Sequence, residues 1–178
     1  MNDQPERVFN VLFLCTCNSA RSILAESALN KHNDGRFRAF SAGSQPKGPV
    51  NPDALRLLAR IGYPIEGLRS KGWEEFAVPG AAVMDFVVTV CDDAAGEACP
   101  AWPGQPITAH WGIEDPSLVQ GGEIDRERAF VTALRYLENR LRLFMCLPLG
   151  NLEAAALRTK VREIGQSQGA SSPRDQAA

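Results

Sequence analysis

The residues richest in chemistry lie in one short run, Cys15-Thr16-Cys17-Asn18-Ser19-Ala20-Arg21-Ser22. Cys15 supplies a soft nucleophile, and Arg21 supplies a fixed cation whose planar fork of donors suits a tetrahedral oxyanion. The run follows an apolar stretch, Val8 to Leu14, and leads into a helix-like one, Ile23 to Leu29. A strand that ends on a cysteine, turns through a small-residue loop and enters a helix sets the thiol under backbone N–H groups and the positive helix end. Such surroundings favour the sulfur anion, so Cys15 is the expected nucleophile and residues 16–22 the expected oxyanion-binding loop. The competing reading is a buried cysteine closing a strand, with Arg21 merely starting a helix. The agreement of strand, small residues, helix and Ser22 behind Arg21 decides against it.

The elements that must position this loop alternate along the chain. Strands are expected at 8–14, 37–43, 84–90 and 107–111. Helices are expected after the loop, from Asn51 and Pro52 to Ile61, and from Ile124 to about Leu147, where Phe130, Leu134, Leu137, Leu141 and Phe144 recur at helical spacing. Leu68 to Phe76 reads as a short helical lead-in, and Asp92 to Pro106 as a flexible polar excursion. Met84 to Val90 is almost continuously apolar, as in a central strand buried on both faces. This order predicts an α/β domain over 1–150, a three-layer sandwich with a four-stranded parallel sheet flanked by helices. An additional helix is expected over 151–165, and a disordered tail over 166–178. In such sheets ligands sit at the carboxyl ends of strands, where Cys15, Cys91 and Asp115 fall.

Composition narrows the classes further. The chain has 178 residues, 44% of them hydrophobic, which suits one domain with a core. A net charge of −2 and a pI near 5.7 give no broad basic surface, so nucleic acid is not an expected partner. No apolar stretch reaches spanning length, and the polar start, Met1 to Arg7, has no signal-peptide core. The expected location is the cytoplasm, with no membrane association. In a reducing compartment the five cysteines point to redox or metal chemistry rather than permanent staples. A metal set of Cys15, Cys17, Cys91, Cys99 and His110 lacks the usual zinc-ligand spacing.

With the Cys15–Arg21 loop, the Ser41-Ala42-Gly43 turn and the Asp115-Pro116 pair in view, the chain resembles the low-molecular-weight tyrosine phosphatase fold, and within it the arsenate reductases. The resemblance covers roughly residues 7 to 148. It implies that Cys15 attacks the central atom of the oxyanion, that Arg21 binds its equatorial oxygens, and that Asp115 protonates the leaving oxygen. It also implies that Ser22 donates to the sulfur while Asn18 and Ser41 brace the loop. Some reductase members hold potassium beside the loop, which here would use Asn18, Ser41 and Glu26. No other cofactor is expected.

Phosphatase and reductase share the first covalent step and differ in the next nucleophile. A reductase needs a second thiol, and Cys91, at the end of a central strand, is placed for it; Cys99 follows in the polar excursion and can resolve the disulfide. The resemblance implies reduction of the resulting pair by an external thiol system, thioredoxin or glutaredoxin with glutathione. Phosphatases of this fold carry paired tyrosines after Asp-Pro. This chain has Ser117 and Leu118, which favours a small inorganic anion, arsenate, with phosphate and sulfate as competitors. The alternatives are a tyrosine or small phosphate-ester phosphatase and a non-catalytic redox sensor; the sensor would need no acid at Asp115. Cys146 is expected to pack on the long helix and His110 to be a hydrogen-bonded structural residue.

Overall fold

The computed structural model describes residues 7–171. Four strands, β1 (Phe9–Cys15), β2 (Phe37–Gly43), β3 (Phe86–Thr89) and β4 (Ile107–His110), form one sheet in the order β2-β1-β3-β4. Every pairing is parallel. Five α-helices connect or cover them: α1 (Arg21–His32), α2 (Pro52–Arg60), α3 (Asp92–Gly96), α4 (Glu123–Met145) and α5 (Ala154–Ile164). Short 3₁₀ turns span Trp73–Phe76 and Pro116–Leu118.

The strand order creates the site. The chain leaves β1 to build β2 on one side, then crosses back to build β3 on the other side of β1. Connections that diverge from a common point leave a crevice at the carboxyl ends of the two strands. Register then fixes what enters it: Leu14 pairs with Thr89, and the Val90 N–H donates to the Leu14 carbonyl at 2.8 Å. Cys15 and Cys91 therefore emerge at the same crevice.

Alternation along β1 divides the core. Val11, Phe13 and Cys15 join a large cluster with Ile23 and Leu24 of α1, Leu57 and Leu58 of α2, and Phe130, Leu137 and Phe144 of α4. Leu12 and Leu14 face the other way, against Phe76, Met84 and the partly buried Trp73 and Trp102. The second outer layer is thus the 3₁₀ turn and its flanking chain. The apolar spacing in α4 buries the five residues it predicted.

Several expectations need correction. The helical lead-in of 68–76 condenses to the turn Trp73–Phe76, because the chain is extended at Gly72, with φ of −76° and ψ of 149°, and turns only after it. Asp92–Gly96 is not loop but the one-turn helix α3, capped by Cys91, whose sulfur accepts the Ala94 N–H at 3.3 Å. Cys146 is exposed just past the end of α4 rather than packed. α5 docks on the domain, burying Leu157, Val161 and Ile164, and the Val161 carbonyl accepts from the Trp111 indole at 2.9 Å. Residues 166–171 also depart from the expected disorder. They run as turns tied back by the Ser171 N–H to the Gly112 carbonyl and by the Ser171 hydroxyl to Asp92. The expectations for 1–6 and 172–178 lie outside the described residues. Among the described residues no helix is long and apolar enough to cross a membrane.

Candidate active site

The loop after β1 is shaped by what grips its carbonyls. The Thr16 carbonyl accepts from the Gln45 N–H at 2.9 Å and the Cys17 carbonyl from the Ser70 hydroxyl at 3.0 Å. The Ser19 carbonyl accepts from the Asn51 N–H and the Ala20 carbonyl from the Leu24 N–H, both at 2.9 Å. In a trans peptide the N–H points opposite to the C=O. Holding these four carbonyls from outside turns the N–H groups of Cys17, Asn18, Ala20 and Arg21 inward, over Cys15. One of them already reaches the sulfur: Asn18 N–H lies 3.2 Å from Cys15 Sγ. α1 starts at Arg21 with no side-chain cap and no acidic residue in its first turn, so its positive end is left uncompensated.

Asn18 ties the loop to the rest of the fold. Its backbone is left-handed, with φ of 47°, which asparagine tolerates better than most residues. Its amide donates to Ser22 Oγ at 2.8 Å and to Ser41 Oγ at 2.9 Å, and its carbonyl oxygen accepts the Lys71 N–H at 2.9 Å. All four of these residues are buried. Because Asn18 donates to Ser22, the Ser22 hydroxyl hydrogen is free for Cys15 Sγ, 2.9 Å away. Ser41 in turn donates to the Glu26 carboxylate. Lys71 Nζ lies 3.8 Å from that carboxylate, and its ammonium also donates to the Arg69 carbonyl. Burial pushes the Glu26 carboxyl up from its ordinary value, opposed by Lys71, and pulls the Lys71 ammonium down, opposed by Glu26.

Arg21 and Asp115 meet across the crevice. One guanidinium nitrogen donates to Asp115 Oδ2 at 2.9 Å and the other to the Ile113 carbonyl at 3.0 Å. The other Asp115 oxygen accepts from the N–H and hydroxyl of Ser117, at 2.9 and 2.6 Å. Fully buried Arg140 supports this segment from α4, donating to the Trp111 and Gly112 carbonyls.

The second thiol is adjacent. Cys91 Sγ lies 3.6 Å from the hydroxyl of Thr16, the residue next to Cys15. Burial pushes the Cys91 thiol up from its ordinary value, opposed by the Ala94 N–H, the Thr16 hydroxyl and the Arg21 charge. Cys99 and Cys91 are not disulfide-bonded. Cys99 is exposed beyond α3, in the wall of a 620 Å³ cavity that it shares with Trp102, His110 and Arg162, and burial and Glu97 push its thiol up. Cys17 is half-buried, and all five thiols are free. His110 is hydrogen-bonded on both ring nitrogens, to Thr89 and Asp92 at 2.8 Å each. Among the described residues no group of three or more His, Cys, Asp or Glu side chains is arranged to hold a metal ion.

Sequence reasoning therefore named the side chains around the sulfur but missed Lys71, the outer grips on the loop carbonyls and the Thr16 to Cys91 contact. Lys71 gave no local signal, since its partner Asn18 lies 53 residues away.

Comparison with known proteins agrees with this geometry. The family described as "Low molecular weight phosphotyrosine protein phosphatase" matches residues 10–162. The curated arsenate reductase of Bacillus subtilis (strain 168) is 34% identical over 134 residues, covering 75% of this chain and 93% of that protein. A solved structure described as an arsenate reductase in the phosphate binding state aligns with a TM-score of 0.63 at 26% identity, covering 78% of this chain and 97% of the other. The Corynebacterium glutamicum thioredoxin-dependent arsenate reductase aligns with a TM-score of 0.54 at 24% identity, a likeness of fold. It covers 78% of this chain, which spans 61% of that longer one.

Gly43 offers a test of the loop's support. A Cβ there would lie 2.5 Å from the Thr16 carbonyl oxygen and 2.9 Å from the Asn18 nitrogen. Gly43→Ala should therefore lower stability by about 1–3 kcal/mol, as overpacking against backbone does. It should also reduce the rise in melting temperature on adding phosphate. An unchanged urea midpoint with an unchanged phosphate shift would contradict the described packing.

Proposed function

The chain belongs to the low molecular weight phosphotyrosine protein phosphatase family, and from that premise we propose that it is an arsenate reductase, releasing arsenite by a three-cysteine relay. The observation that carries this reading is the second thiol beside the loop. Cys91 stands next to the residue following Cys15, at the point where a hydrolytic enzyme would need only water. The absence of an aromatic wall after Asp115-Pro116 supports a small inorganic anion over a phosphotyrosine ring. The similarity to curated arsenate reductases supports it independently.

Arsenate enters under the inward N–H groups and takes the guanidinium of Arg21 from Asp115. Freed from that pair, Asp115 faces the leaving oxygen and hands it a proton. Cys15 attacks arsenic, water departs, and a Cys15–arsenic bond forms. The Cys91 thiolate then attacks Cys15 Sγ. A disulfide forms, the electron pair of the sulfur–arsenic bond goes to arsenic, and arsenic is reduced from As(V) to As(III) and leaves as arsenite. Cys99 attacks Cys91 Sγ, frees Cys15 as thiolate and leaves Cys91–Cys99 oxidised. α3, only one turn long, lies between Cys91 and Cys99 in the chain, and its unwinding would let Cys99 swing toward Cys91. An external dithiol, thioredoxin or glutaredoxin with glutathione, supplies the two electrons that close the cycle in a reducing cytoplasm. Phosphate and sulfate, of the same tetrahedral shape, compete at the loop.

Arsenate-dependent NADPH oxidation, run separately with the thioredoxin and glutaredoxin systems, tests the relay. Cys15→Ser and Cys91→Ser should abolish turnover. Cys99→Ser should stop it after one equivalent of arsenite with a Cys15–Cys91 disulfide. Normal turnover in both Cys91→Ser and Cys99→Ser would refute the relay. A p-nitrophenyl phosphate activity unaccompanied by arsenite formation would favour the phosphatase reading.

The buried Cys91 thiol adds a pH signature. Burial holds its pKa above the ordinary thiol value, so the attacking thiolate is scarce at neutrality and grows with pH. In single-turnover experiments, arsenite release should accelerate between pH 7 and 9, approaching about tenfold per unit for a step limited by thiolate fraction. A flat profile would contradict attack by this thiol from its observed setting.

A further inference from the structure

Lys71 is a buried cation that the proposed relay does not use. Its side chain is 7% exposed and its partner Glu26 is 12% exposed. A buried ion pair is a poor source of stability, since removing two charges from water offsets most of their attraction. Its place in the fold gives it another role. Lys71 is fastened to the loop by its main chain, the N–H to Asn18 and the C=O from the Gly43 N–H at 2.9 Å. Its ammonium then returns to Glu26, and Glu26 connects through Ser41 and Asn18 to Ser22 and Cys15.

Asn18, Ser41 and Glu26 are the residues that the family resemblance assigns to a potassium ion, and as they stand here they do not fit one. The Asn18 carbonyl oxygen already accepts from Lys71 N–H. Ser41 Oγ is engaged on both sides, by Asn18 and by Glu26. The charge of Glu26 is already met by an ammonium at 3.8 Å. A second monovalent cation would have to displace Lys71 from a buried position, where an unpaired ammonium is costly.

We infer that Lys71 is a tethered substitute for an exchangeable monovalent cation, a positioning residue that holds Glu26, Ser41 and Asn18 under the oxyanion loop and makes this protein independent of potassium. The covalent tether keeps the cation at the site at every salt concentration. Lys71 touches neither sulfur nor substrate; it acts through the three-residue chain to Asn18. This deepens the arsenate reductase reading, on which only its kinetic readout rests.

The experiment compares wild type, Lys71→Ala and Lys71→Gln in choline chloride and in potassium chloride at constant ionic strength. Two quantities are read, the arsenate kcat/KM and the melting temperature with and without phosphate. Wild type should show the same rate and the same phosphate-induced shift in both salts. Lys71→Ala in choline should lose activity by about ten- to a hundredfold, as expected when a group orienting the contact residues is removed. Its phosphate-induced shift should shrink, and potassium or propylammonium, but not choline, should restore both quantities. Rescue by a small cation distinguishes a positioning charge from lost packing, and Lys71→Gln supplies a bulkier neutral variant should the alanine fold poorly. The inference is overturned if potassium raises the wild-type rate or phosphate shift severalfold, or if both neutral variants match wild type in choline. It is equally overturned if neither potassium nor propylammonium restores a folded neutral variant. Should no protein in the series reduce arsenate, the functional reading fails while the phosphate shift still decides the role of Lys71.

Discussion

The direction in which four peptide groups point governs the chemistry of this protein. Gln45, Asn51, Ser70 and Leu24 draw the carbonyls of the loop after β1 outward, and peptide planarity turns the corresponding N–H groups inward over Cys15. One amide and one hydroxyl already point at its sulfur, and the open end of α1 adds partial positive charge beside it. Because this array is built before substrate arrives, it need not reorganise when negative charge accumulates on a bound oxyanion.

Such an array is stable only if its supports are themselves satisfied. Asn18 uses its backbone N–H, both amide hydrogens and its carbonyl oxygen within a fully buried shell, while adopting a left-handed backbone. Buried polar networks rigidify when complete and are costly when a member is missing, and this one extends without a gap from sulfur to Lys71. The sheet topology supplies the other half of the site. By placing β3 beside β1, it sets a second thiol at the same crevice.

The legible part of the molecule was the part written in local pattern. β1, the long helix α4 and the loop between Cys15 and Ser22 announce themselves by the apolar run Val11 to Leu14, by 3.6-residue spacing and by small residues between a cysteine and an arginine. The pairing of Arg21 with Asp115 across 94 positions was accessible only through resemblance. What stayed hidden depends on distant partners or on short elements. Lys71 looks like any surface lysine until its main chain is seen against Asn18. α3 is too short for periodicity to register, and its cap is a cysteine sulfur rather than a usual capping side chain. The turns at 166–171 have the composition of a solvated tail, yet Gly165 and Ser171 close against His110, Gly112 and Asp92.

The central claim is that the loop makes Cys15 the reactive thiol and does so as an oxyanion site. Its most direct test is iodoacetamide labelling of the reduced protein at pH 7, with each cysteine followed by peptide mass spectrometry. The account predicts that Cys15, though buried, is alkylated first of the five, by about tenfold or more over an ordinary thiol, and that arsenate or phosphate protects it. Labelling of exposed Cys99 and Cys146 ahead of Cys15, with no protection by either anion, would contradict it.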